Sequence, residues 1–275
     1  MIFSDLNLAR RLEAAEGFAC AEFARTRARL LPASGAISVR LAGADVVFDG
    51  VDSPVTQTFG LGIFEPLTPA ALSEIENFFF SRGAAANHEV SPFAGVATAD
   101  LLCRRGYKPI ELSSVLYRPV EEPEAPAHSD IRVRRVAPDE VPLWADVSSR
   151  GWTHEHPEFR EFLTEFGKIC AAREGTLCFL GEIDGKPGAA AVLSIHKGVA
   201  MFAGSATVPE MRRRGLQSTL LHERMRYAFQ HGCDLALMAA EVGSESQRNA
   251  QRKGFQIAYT RTKWQKAPSS AIVAP

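Results

Sequence analysis

The chain has 275 residues, which is long for one domain and comfortable for two. Its 31 Lys and Arg nearly balance 32 Asp and Glu, leaving a formal charge of −1, so nucleic acid is not expected as a general partner, because its binders carry a basic surface that shows in the total. No transmembrane span is visible, and the opening MIFSDLNLARRLEAAEG lacks the apolar stretch of a secretory signal, so a cytoplasmic chain away from membranes is expected.

The first elements read as a helix. Ser4 can cap it, Leu8, Leu12, Ala15, Ala19 and Phe23 recur at helical spacing, and Gly17 is a place where it can break in two. ISVRLAGADVVFDG follows as two strands around a Gly-Ala-Asp turn, and VTQTFGLGI as a third. Thr68-Pro69 opens a helix with Leu72, Ile75 and Phe79 on one face, ended by Gly83. A strand near residues 87–90, a short helix TADLLCRRGY and the strand IELSSVLYRP complete this half.

RPVEEPEAPAHSD, residues 118–130, is rich in proline, glutamate and alanine and reads as a solvated linker. The expected division is therefore 1–118, a linker over 119–130, and 131–275. Beyond the linker the order of elements repeats: strand, two helices, three strands joined at Asp184-Gly185 and Lys197-Gly198, then a helix with Leu216, Leu220, Leu221, Met225 and Phe229 on one face. The strand DLALMAA, the short helix ESQRNAQRKGF and the strand IAYTRTKWQ end it. LLCRRGYKPI and NAQRKGFQIA align Gly106 with Gly254 and Tyr107 with Phe255, as in a diverged internal repeat. The fold class expected is α/β, two similar domains in tandem, each a mixed and mostly antiparallel sheet flanked by helices.

The densest chemistry lies in VPEMRRRGLQSTLL, residues 208–221. Here a strand turns through Pro209 into an amphipathic helix, so the loop's amides include the unpaired first-turn donors of that helix. A pyrophosphate there gains several N–H bonds and a favourable dipole, a glycine lets it come close, and the arginines add charge-assisted contacts. Arginine at a helix start opposes the dipole and needs such a reason.

The strand, this loop, the helix, the next strand, the short helix ending RKGF and the last strand resemble the GNAT superfamily of acetyl-CoA-dependent N-acetyltransferases. The family's cofactor loop has Arg or Gln, two free positions, Gly, one free position, and Gly or Ala; Arg212 and Gly215 match, and Gln217 departs at the last position. The resemblance implies acetyl-CoA as acetyl donor; no metal is expected, because the His154-x-His156 pair has no third ligand at helical or strand spacing. It implies that Thr207 and Val208 present backbone groups to the pantetheine arm and thioester, and that Arg212, Arg213, Arg214, Gly215, Leu216, Gln217 and Ser218 surround the pyrophosphate. It puts Asn249 and Arg252 beside the cofactor's far end. The first half's matching turn, GLGIFEPLTPAAL, carries Glu65 and Pro69 in place of arginines, so that half is expected to have lost cofactor binding.

The reaction implied is direct attack of an amine on the thioester. Bringing an alkylammonium with a pKa near ~10.4 to its neutral form at pH 7 costs roughly 4 kcal/mol, so a base is needed. Glu241 and Glu182 are the candidates. The family's usual acid, a tyrosine, is replaced by Ala250; Tyr259 substitutes only if its ring turns into the cleft, and otherwise the thiolate leaves unaided. An amide of the strand ending near Val208 is expected to stabilise the oxyanion. For the acceptor, a small-molecule primary amine or a peptide amino terminus, Trp152, His154 and His156 are the candidates, as pocket floor and amine holders. The alternative is a non-catalytic acetyl-CoA-binding sensor or interaction module on the same fold.

Overall fold

A computed structural model describes residues 3–123, 130–153 and 157–268. The chain divides into two compact units, Met1–Leu116 with Ala239–Pro275, and Tyr117–Met238. The first cut falls beside the expected 118. The second differs from the sequence reading, because the chain's last elements pack in the first unit.

The first unit opens with α1 (Leu6–Leu30), a single 25-residue helix. Asp5 is its cap, accepting from the amide of Leu8, while Ser4, the expected cap, donates its hydroxyl to the carbonyl of Ala258. Gly17 does not break α1. A Cβ there would lie 2.6 Å from Asp45 Oδ2 and 3.3 Å from Phe59 Cβ, so the glycine lets the helix lie close on the sheet. β1 (Ile37–Leu41) and β2 (Ala44–Phe48) form a hairpin whose Ala42 and Gly43 both take positive φ. β3 (Gln57–Phe59), α2 (Pro69–Phe80), β4 (Ala86–Val90), α3 (Gly95–Arg104) and β5 (Lys108–Pro119) follow. Leu72, Ile75 and Phe79 of α2 pack with Leu101 and Leu102 of α3 on Val46, Phe48, Ala86 and Val90, as their helical and alternate spacing requires.

Also in this unit are α7 (Glu245–Arg252) and β11 (Gln256–Lys266). β11 pairs antiparallel with β4, from Thr262 opposite Val90 to Lys266 opposite Ala86, and lies between β4 and β5. The α1 face of this seam is polar. Arg261, 3% exposed, is gripped by Glu16 through two bonds of 2.6 and 2.8 Å and sits 3.0 Å from Glu89 and 3.5 Å from Glu13. Tyr259 donates its hydroxyl to Glu13 at 2.8 Å. One guanidinium thus faces three buried carboxyls, and burial raises Glu13 from 4.5 to about 7 and pushes Glu89 up as well.

The repeat read in the sequence is visible in the ends of α3 and α7. Gly106 and Gly254 take φ of 80° and 84°, and Tyr107 and Phe255 donate their amides to Leu102 and Ala250. Both helices therefore close with the same left-handed cap, and both aromatic rings are buried.

The second unit contains β6 (Ile131–Arg135), α4 (Val141–Trp152), α5 (Arg160–Ala171), β7 (Thr176–Ile183), β8 (Lys186–His196), β9 (Val199–Thr207) and α6 (Leu216–Gln230). It also holds β10 (Leu235–Glu241) as far as Met238. β6 to β9 pair antiparallel in sequence order, and β10 adds parallel to β9. The turns at Asp184-Gly185 and Lys197-Gly198 have two positive φ values each, the hairpin geometry expected there. α4 lies on one face, where the buried Trp144 donates its ring N–H to Phe179 O. Gly181 receives α6, since a Cβ there would touch Leu216 and Leu220.

Candidate functional site

Within the second unit the chain prepares one strand edge and one helix start. β9 pairs parallel with β10 from Val199–Leu235 to Met201–Leu237 and then runs on to Thr207, with no pairing to β10 past that point among the described residues. Its ladder with β8 shifts register: Ala190 faces Ala206, but Val192 faces Ala203. Gly204 and Ser205 therefore stand against the single residue Ala191, and Gly204 takes φ 57°. This is a bulge, built where only glycine takes the backbone angle without strain.

At its end β9 is fixed to β8, as the amide of Val208 donates to Gly188 O at 2.9 Å. Val208 N–H is thus committed to the ladder, which corrects the expectation that it faces a thioester. Alternation along an extended strand, counted back from Val208, turns the amides of Thr207 and Ser205 to the opposite edge. The carbonyl of Thr207 agrees, since it accepts from Arg212 and not from β8.

The loop follows through a 3₁₀ turn over Pro209–Met211. Met211 fits over Gly188, where a Cβ would lie 2.0 Å from its sulfur. Arg212, though exposed, donates through Nε to Thr207 O at 3.3 Å and through a terminal nitrogen to Gly151 O at 3.2 Å. These bonds tie the loop to the end of α4. Arg150 pairs with Glu210 across the same junction, and a Cβ on Gly151 would lie 2.7 Å from Ala206.

Arg213 and Gly215 take φ of 61° and 90°, and Arg213 and Arg214 are exposed. α6 begins at Leu216 with Gly215 as N-cap, with no side-chain cap and no acid in its first turn. The amides of Leu216, Gln217 and Ser218 have no partner inside the helix by geometry. Gln217 sends its side-chain amide to Thr207 Oγ1 at 2.7 Å, leaving its backbone N–H clear. This set suits a pyrophosphate: donors in a row, the positive end of a helix, no Cβ at Gly215, and two outward arginines.

The other expected residues fall as follows. Glu182 is buried and accepts from Arg134 at 2.8 Å; Arg134 also holds Glu140, pushing that carboxyl below its usual range. Tyr259 is 6% exposed in the first unit, with its hydroxyl on Glu13 and its ring against Phe93, so its ring is packed and does not turn into a cleft. Glu241 is exposed at the end of β10, and Asn249 and Arg252 are exposed on α7 with Ala250 buried between them; all four lie in the first unit. Trp152 ends α4 and is 55% exposed, which does not make it a buried pocket floor. His154 and His156 lie outside the described residues. Among the described residues no three His, Cys, Asp or Glu gather as metal ligands, and no helix is long and apolar enough to cross a membrane.

The sequence reading missed Gly151, Gly188 and Arg224. The glycines were legible only as a small residue late in a helix and one early in a strand. Arg224 of α6 is 2% exposed, and burial lowers its guanidinium to about 9. An arginine among Leu220, Leu221, Met225 and Phe229 carries no local sign that it points inward.

In this unit a bulged fourth antiparallel strand leads through an arginine-glycine loop to a helix start without a side-chain cap. Residues 122–241 match the sequence profile described as the acetyltransferase (GNAT) domain. A GCN5-related N-acetyltransferase from Kribbella flavida is 20% identical over 92% of this chain and 97% of its own, with a TM-score of 0.63. A tandem GNAT protein from the clavulanic acid biosynthesis pathway is 14% identical over 83% and 79%, TM-score 0.58. A structure from Novosphingobium aromaticivorans described as an acetyltransferase of the GNAT family is 16% identical over 85% and 92%, TM-score 0.54. No curated protein matches the chain. The GNAT resemblance read from the sequence holds, in the sequence of 122–241 and in the α/β fold.

Proposed function

We propose that the second unit binds acetyl-CoA and transfers its acetyl group to a primary amine, in the first instance of a small molecule. The observation that carries this reading is the uncapped start of α6 behind Arg213, Arg214 and Gly215. Bound there, acetyl-CoA supplies an activated acetyl thioester. The first-turn amides and the two outward arginines hold its pyrophosphate, and the edge of β9 accepts the peptide-like amides of the pantetheine arm as an added strand would be accepted. The amides of Thr207 and Ser205, turned to that edge, are the donors that replace Val208 in the sequence reading. Glu182 is committed to Arg134, which leaves the exposed Glu241 as the sequence's remaining candidate for the base. With Tyr259 held by Glu13, the thiolate leaves without a protein acid.

Isothermal titration with acetyl-CoA tests this. One equivalent per chain is expected, and the double variant Arg213→Glu/Gly215→Glu abolishes it; no binding by the wild type overturns the proposal. The engagement of both Tyr259 and Glu182 favours a second reading, a non-catalytic acetyl-CoA-binding module. Tight binding with no transfer to any amine in a screen decides for it, and an acetylated amine whose formation Glu241→Gln slows decides for the enzyme.

A further inference from the structure

Arg224 is a buried cation whose described contacts are carbonyls, a hydroxyl and an aromatic ring. It donates to Val192 O at 2.8 Å and to Ser205 Oγ at 2.8 Å, with Ala203 O at 3.5 Å, Leu220 O at 3.2 Å and the Phe202 ring 5.1 Å away. Burying such a charge is costly, so its placement calls for a compensating gain. Three of those groups bracket the β9 bulge: Ala203 and Ser205 flank Gly204, and Val192 is the residue that faces Ala203 across the register shift. A bulge withdraws backbone groups from the ladder and leaves them needing other partners. The guanidinium fork supplies those partners from one rigid plane, which a flexible ammonium with a single donor centre does not.

We propose that Arg224 is a positioning residue for acyl transfer: by clamping both sides of the Gly204–Ser205 bulge it aims the Ser205 amide at the thioester carbonyl. This rests on the acetyl-CoA reading above. Arg224 lies on the same helix whose first turn is proposed to hold the pyrophosphate, two turns further along, so α6 sets the distance between phosphate grip and acyl grip. The arginine touches no reacting atom; it fixes a backbone donor that does, and a donor pre-aimed at a developing oxyanion is a large source of catalysis.

The experiment is difference infrared spectroscopy of acetyl-CoA carrying ¹³C at the thioester carbonyl, run beside calorimetry with acetyl-CoA and with CoA. In the wild type the carbonyl stretch is expected to move to lower frequency on binding. In Arg224→Lys it should return to the free-solution value while the affinity for CoA stays within about threefold, and the acetyl-CoA to CoA preference should disappear. An unchanged carbonyl stretch in a variant that binds acetyl-CoA overturns the proposal, and so does equal loss of both ligands, which marks Arg224 as packing for α6 alone. Should Arg224→Lys not fold, Ser205→Ala removes only one clamp contact and must move the stretch part of the way; no movement again overturns it. Failure of the wild type to bind either ligand is a different result, and falls on the acetyl-CoA reading itself.

Discussion

Two helix starts, α2 in the first unit and α6 in the second, follow the corresponding strands β3 and β9 and differ in nearly every feature that an anion would feel. α2 is sealed. Thr68 caps it by accepting from Ala71 N, Pro69 removes a donor, and Glu65 stands just ahead. Its loop folds on itself, with Phe64 against Gly60 and under Arg40, and with Ile63 O held by Arg10 of α1. α6 is open, with a left-handed glycine for a cap and arginines before it. The same strand-to-helix turn is in one case capped by the chain's own side chain and in the other left without a side-chain cap.

The first unit has buried its polarity where β11 joins, and the largest effects are expected there. Arg261→Met leaves Glu13, Glu16 and Glu89 without their cation, and a loss of about 3–5 kcal/mol is expected in urea unfolding. A change below about 1 kcal/mol would mean that the carboxyls are already neutral or reach water.

Next is pH. Glu13 is protonated more readily folded, near 7, than unfolded, near 4.5, so its contribution is fully present below 4.5 and is lost as pH rises through about 7. His88, buried beside Tyr107 and lowered to about 3, acts in the opposite sense below 6.5. Glu13→Gln keeps an acceptor for Tyr259 and removes one of these two slopes. Relative to wild type it should gain as much as about 3 kcal/mol between pH 4.5 and 8, measured as the difference between unfolding curves at the two pH values; parallel curves would contradict the raised carboxyl.

In the second unit Gly151→Ala puts a methyl against Ala206 and the Thr207 amide. It should destabilise by roughly 1–3 kcal/mol and weaken acetyl-CoA binding about tenfold, since it moves the loop's anchor; stability lost with affinity intact would detach that junction from the site. The smallest effect tests the sealed helix. Thr68→Ala should cost about 1 kcal/mol without raising acetyl-CoA stoichiometry above one, because Pro69 and Glu65 remain. A second equivalent would erase the distinction between the two helix starts.

Along the chain, much of what could be read from neighbours in sequence is found in the structure, although Asp5 and not Ser4 caps α1. The hairpin turns Asp184-Gly185 and Lys197-Gly198, the helix opened by Thr68-Pro69, the matching caps at Gly106 and Gly254 and the arginine-glycine loop are all set by dihedral preference and hydrogen bonds over a few residues. Those same local rules located the candidate anion site, because a helix start exposes its amides whatever surrounds it. Tertiary structure alone decided that β11 lies beside β4, that Tyr259 answers to Glu13, that Val208 is spent on Gly188, that Arg212 bonds Gly151 O, that Arg224 is buried, and that Gly17, Gly151 and Gly188 are close contacts instead of breaks. The reason is physical. Alternation and helical period tell a residue which face it occupies, but the neighbour across that face is chosen by packing between segments distant in sequence, more than two hundred residues apart for Glu16 and Arg261.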